Sequence, residues 1–203
     1  MLPTSSLFVR PSKPGGQPAL LSRALGAALL LLTGCSGAGA GGEAAPGGNG
    51  PAATPNEIAH GEGVPSDAAS IVGWASSVSE YRRGEEATIF TDTTQALGTA
   101  SGVATDVLAL GRGGAVTVGF DAPFGDGEGA DFAIFENGIG DTTNLFAELA
   151  YVEVSSDGTE FLRFPVTTNR REQVEAYGRI DAGNYSGFAG LHAAGEGTAF
   201  DLT

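Results

Sequence analysis

Short runs of alternating apolar and polar residues, glycine and aspartate between them, and the lack of any long amphipathic helical period predict an all-β fold. The expected form is an antiparallel jelly-roll-like β-sandwich. The alternation begins near Asp67 in the 203-residue chain. No segment offers the crossover helix that a parallel sheet needs.

The strands are taken in order. Trp74 to Tyr81 forms the first, and Val107-Leu108-Ala109-Leu110 the second, tied to a third through Gly111-Arg112-Gly113-Gly114. That third, Ala115-Val116-Thr117-Val118-Gly119-Phe120, alternates with period two, so its valines share one face. Asp131-Phe132-Ala133-Ile134-Phe135-Glu136 is apolar on both faces and therefore central. Tyr151-Val152-Glu153-Val154-Ser155 and Phe161-Leu162-Arg163-Phe164 flank Ser156-Asp157-Gly158, a hairpin signal because Asp-Gly accepts the positive φ of tight turns. Arg170 to Tyr177 has the pattern of one or two helical turns. These six strands fall short of the roughly eight of a jelly roll. The glycine-rich residues 166–203 add no clear strand and are expected to be largely irregular.

The chain divides into three parts: a leader over 1–35, a tether over 36–65 and a β-sandwich domain over 66–203. Arg10, Lys13 and Arg23 precede the apolar run Ala24 to Leu32, and Thr33-Gly34-Cys35 follows it. A basic region, a short apolar region and a small-residue cleavage site describe a secretion signal. The run has about nine residues, well short of the roughly 20 of a spanning helix. The leader is expected to be an apolar helix that does not pack on the domain.

Leu32-Thr33-Gly34-Cys35 resembles the bacterial lipobox, which implies cleavage before Cys35 and lipidation of its thiol. The alternative is an ordinary secretory signal with an incidental cysteine. Against it, this is the one cysteine in the chain, and it stands where cleavage is expected. The resemblance implies an exported protein held to the membrane through its lipid anchor. With Ser36 after the cysteine, it implies the outer membrane or cell surface. Residues 36–65 are rich in Gly, Ala and Pro and read as a flexible tether.

Removing 1–34 removes three of the ten cations and none of the 24 acids, so the formal charge moves from −14 to 7 − 24 = −17. Such a surface repels nucleic acid and attracts cations, calcium above all. Acidity also keeps an exported protein soluble, and that reading suffices for the charge alone. With Cys35 acylated, no disulfide can form within the domain.

Several blocks resemble a family of poorly characterised bacterial cell-surface proteins, often lipid-anchored or carrying a sorting tail. They are Ala96-Leu97-Gly98 with Leu110 to Phe120, Asp131 to Gly138 (DFAIFENG), Phe146 to Gly158 (FAELAYVEVSSDG) and Gly190 to Leu202. The strand–DG–strand hairpin is similar to that of galactose-binding-like (discoidin-like) domains. The resemblance covers about residues 74–203 and implies a surface location and a binding fold, with carbohydrate or another surface polymer as ligand. In the family the last block continues into a strand rich in Val, Arg and Ile. Here the chain ends one residue after it, so the domain is expected to be C-terminally incomplete, with an open sheet edge or a gap between strands.

The candidate site is Glu136 with Glu148, joined by a loop holding Asn137, Asp141 and Asn144. If the two strands are antiparallel neighbours, parity points both glutamates inward at one end of the sandwich. Two carboxylates so placed repel unless one is protonated or a cation lies between them. The loop oxygens are of the kind calcium prefers. Three readings stay open: a calcium site, glutamates bracing the loop through backbone N–H groups, and a catalytic carboxylate pair. Bracing is the commonest fate of such residues.

Asp126 to Asp131 fails the EF-hand pattern and reads as an acidic turn. No Gly-x-Ser-x-Gly elbow or free thiol supports nucleophilic catalysis, and His192 is expected in a glycine-rich turn. Trp74 and Tyr81, Tyr151, Tyr177 and Tyr185 are expected to pack in the core and turns. The sequence therefore predicts a surface-anchored, non-enzymatic binding domain, calcium-supported. The alternatives are a purely structural envelope protein and a hydrolase using Glu136 and Glu148.

Overall fold

The computed structural model describes residues 6–10, 29–32, 62–170 and 178–203. Cys35, nearly all of the tether and most of the segment expected to make a helical turn before Tyr177 lie outside these residues. Within them the protein is all-β, with two short 3₁₀ turns and no α-helix. The strands in chain order are β1 (Ser6–Arg10), β2 (Leu29–Leu32), β3 (Val64–Pro65), β4 (Ile71–Trp74), β5 (Ser77–Arg82), β6 (Ala115–Gly119) and β7 (Phe132–Phe135). There follow β8 (Ala150–Val154), β9 (Leu162–Arg163), β10 (Thr167–Thr168), β11 (Tyr185–Ser186), β12 (Phe188–Ala189) and β13 (Glu196–Phe200).

One sheet has the order β12-β8-β1-β6-β5, with β9 also pairing β8, and the other has the order β3-β13-β7-β2-β4. β10 and β11 form a separate two-stranded ribbon. Val116 and Val118 of β6 and Val152 of β8 share one core with Phe132 and Ile134 of β7 and Phe200 of β13. The two sheets therefore face each other across a common apolar layer, as their alternating pattern requires. β7 is buried along its whole length. Its opposite face, Ala133 and Phe135, is covered by Ala100 and Trp74, with the Trp74 and Phe135 rings 5.4 Å apart.

The predicted strands at 115–120, 131–136, 151–155 and 161–164 are all present with shifted ends. Trp74 to Tyr81 is two strands, not one. The chain bends at the buried Ala75 and passes from the second sheet to the first. Val107 to Leu110 is not a strand. The glycines that follow turn too sharply for a continuous ladder, since a Cβ on Gly114 would lie 1.9 Å from the Leu110 carbonyl oxygen. Leu110 instead accepts one hydrogen bond from the Gly84 amide, while Leu108 stays in the core.

The described residues of the 166–203 stretch, 166–170 and 178–203, are more ordered than expected. They hold β10 to β13, and β13 pairs with β7 from Gly197↔Phe135 to Phe200↔Phe132. Gly197 serves this pairing, because a Cβ there would lie 2.9 Å from the Phe135 ring. The domain also starts before residue 66, since Val64 and Pro65 pair with β13.

The leader differs most from expectation. Leu29–Leu32 is extended, not helical, and lies between β7 and β4. Ser6–Arg10 runs parallel to both β6 and β8 and lies between them. The expected gap between strands is not found among the described residues: both sheets are continuous, with Ser6–Arg10 and Leu29–Leu32 each at an interior position. Strands flanking such a position carry N–H and C=O groups that must be satisfied, and an apolar extended segment satisfies them.

Candidate functional site

β7 carries acidic groups at both of its ends. At its C-terminal end Glu136 follows the strand directly, its carboxyl buried. Glu148 lies just before β8, in the other sheet, so the two strands are not the antiparallel neighbours that the parity argument required. The two glutamates still influence one another, and Gly190, just after β12, lies close to both. Ala189 pairs with Ala150, and Gly190, at φ +84°, follows. A Cβ on Gly190 would lie 2.7 Å from the Glu148 carbonyl oxygen and 3.6 Å from Glu136 Cγ. Burial, reinforced by the charge of Glu148, pushes the Glu136 carboxyl up to about 8. Burial also raises Glu148, which stands nearer the surface.

The loop residues have hydrogen-bond partners of their own. Asn137 donates from its side-chain amide to the Ala104 carbonyl at 3.2 Å. The exposed Asp141 accepts from the Thr143 hydroxyl at 2.6 Å and from the backbone N–H groups of Thr143 and Asn144, which hold its carboxyl below the usual range. Asn144 offers its carbonyl to Arg179 at 2.9 Å. Asp141 thus closes its own turn, as a short acidic side chain commonly does. The hollow beside Glu136, lined also by Asp106, Asn137 and Ala194, holds about 20 Å³, room for a water molecule rather than a sugar ring.

The other end of β7 brings together what the sequence kept apart. Asp126, Asp131 and Asp201 each offer a carboxylate oxygen within 4.8 Å of the others, and the group can hold a metal ion. Asp131 is the buried member, at 1 % exposure. Its Oδ1 accepts from the Gly127 amide at 2.7 Å and its Oδ2 from the Leu202 amide at 2.8 Å. Asp126 and Asp201 are exposed, and the hydroxyl of Thr203 donates to Asp201 and lies 3.1 Å from Asp126 Oδ1. Reading residues 126–131 as a local loop could not find this group, because Asp201 arrives only through the β7–β13 pairing.

His192 is buried in the turn before β13, with its carbonyl against Gly138. Trp74 and Tyr81 are half-buried and Tyr185 is buried, while Tyr177 lies outside the described residues. Among the described aromatic residues only Phe90 is exposed, at 42 %. No protein-family model, curated protein or solved structure matches the chain.

Proposed function

We propose that this protein is an exported lipoprotein, anchored through Cys35, whose jelly-roll-like domain is a calcium-supported binding module and not an enzyme. The lipobox-like Leu32-Thr33-Gly34-Cys35 and the tether after it carry the anchoring half of the reading. The observation that carries the binding half is the convergence of Asp126, Asp131 and Asp201. Calcium takes six to eight oxygen ligands. Three carboxylates, two of them exposed, leave coordination positions for hydroxyl groups of a sugar or another surface polymer. This reading moves calcium from the Glu136–Glu148 loop to the opposite end of β7. The resemblance to galactose-binding-like surface proteins supports carbohydrate as the ligand class.

The hydrolase alternative draws on Glu136, which burial keeps protonated, as a general acid needs. Glu148 does not line the hollow beside it, and that hollow admits no sugar ring. The structural-envelope alternative is favoured by the absence of an exposed aromatic platform among the described residues.

Two experiments test the proposal. In a bacterial host, wild type should partition into the detergent phase and Cys35→Ala should not. Retention of the variant in the membrane fraction contradicts lipid anchoring. A glycan array probed with and without calcium should give binding that chelation removes. The exposed pair Asp126→Asn/Asp201→Asn should lose that binding while remaining folded.

A further inference from the structure

The position between β6 and β8 is defined on both sides. Five residues of β6 and four of β8 pair with Ser6–Arg10, all in parallel and in unbroken register. β6 is buried throughout. Positions 7 and 9 lie level with Val116 and Val152 and with Val118 and Val154, residues of the common core or packed against it. Position 8 lies level with Thr117 and Glu153, both buried and polar. The slot therefore calls for an extended segment with large apolar residues at two alternate positions and a hydrogen-bonding residue between them. The leader has Phe8 at that central position, a poor chemical match.

If the lipobox is cut, residues 1–34 leave and the slot empties. β6 and β8 then stand two strand spacings apart, about 9.5 Å, with facing rows of unpaired N–H and C=O groups. The tether cannot refill the slot, because residues 36–61 hold a single large apolar residue, Ile58. A second copy would have to break one of its own sheets to donate any of β4 to β8 or β13, each already paired.

We infer that the processed domain is a strand acceptor. It takes, between β6 and β8 and parallel to both, an extended apolar–polar–apolar segment of a partner polypeptide, with the leader as placeholder before export. This is β-strand addition at an interior position, where main-chain hydrogen bonds supply affinity and alternate side chains supply specificity. The inference rests on the leader-cleavage reading of the proposed function.

The test separates the two. The N-terminal mass of the purified wild-type protein reports whether processing at Cys35 occurs. Independently, a Cys35→Ala full chain carrying a site-specific protease sequence within 36–61 is nicked after folding, so the leader can leave whatever the natural processing. The probe is a synthetic peptide of residues 5–11 with Phe8→Thr, added in excess and followed by amide hydrogen exchange. It should displace the leader fragment and slow exchange of amides 115–119 and 150–154 about tenfold or more relative to the nicked protein after the fragment is removed. The unaltered peptide should protect less, and a peptide with Leu7→Asp and Val9→Asp not at all. If those amides are equally protected with the slot empty, or all three peptides act alike, the acceptor is refuted, whichever N-terminus the mass reveals. An unprocessed wild type with an active slot overturns the placeholder role and the lipoprotein reading together.

Discussion

Single residues hold the two ends of β7, and three of them give sharp expectations. Glu136 has a raised folded-state pKa, so the folded protein binds more protons than the unfolded one between about pH 4.5 and 8. Stability should therefore fall as pH rises through that window, with no contribution from this group below it. Glu136→Gln removes the cost of the buried charge. Its stability should match wild type near pH 4 and exceed it by about 4 kcal/mol near pH 8, read from urea unfolding at several pH values. Equal pH slopes in the two proteins would show that Glu136 is not held protonated. Asp131 accepts from two backbone amides of separate segments. Asparagine would present an N–H to one of those donors, so Asp131→Asn should cost about 1–3 kcal/mol by denaturant unfolding. Arg163 donates from Nε to Glu153 at 2.7 Å and lies over the Tyr151 ring at 4.4 Å. Arg163→Ala leaves Glu153 buried and alone. Because Arg163 is itself half exposed, the loss should be about 1–2 kcal/mol, below that of a fully buried pair. A change under 0.5 kcal/mol, within the ordinary surface range, would place the pair among surface ion pairs that contribute little.

At the scale of elements, the legible part of the fold was the part with period-two or continuous apolar sequence. Val116 and Val118 announced β6, and Phe132 to Phe135, apolar on both faces, announced a central strand, which β7 is. The β8–β9 hairpin was legible through Asp157-Gly158, although its loop is longer than a two-residue turn. Gly158 takes φ +75°, while Asp157 accepts from the Thr159 and Glu160 amides and closes the loop with its side chain. β13 was hidden because Gly197, Thr198 and Ala199 carry almost no apolar signal. Gly197 is small because the Phe135 ring lies against it. The bend at Ala75 was hidden because a change of sheet leaves the alternation almost intact. The candidate site was legible only in part. Glu136 and Glu148 do meet electrostatically, but across the two sheets and beside Gly190, not along one hairpin. Asp201 could be joined to Asp126 and Asp131 only by long-range pairing, which no local spacing encodes.

At the scale of the molecule, two sheets share one core, each with a segment from the N-terminal 32 residues at an interior position, and the chain is strongly acidic. The proposed processing at Cys35 would remove three positive charges with residues 1–34, leaving a formal charge of −17 that favours cation binding. The two proposed interaction sites lie apart, a cation group where β7 begins and a strand slot between β6 and β8. The calcium-supported binding module is the central claim, and its direct measurement is the thermal midpoint of the protein titrated with calcium, beside Asp126→Asn/Asp201→Asn. Wild type should gain about 5–10 °C at calcium roughly a hundredfold above its dissociation constant, reversed by chelation, and the double variant should gain little. An unchanged midpoint at millimolar calcium, or an equal rise in the variant, would contradict a calcium site at the head of β7.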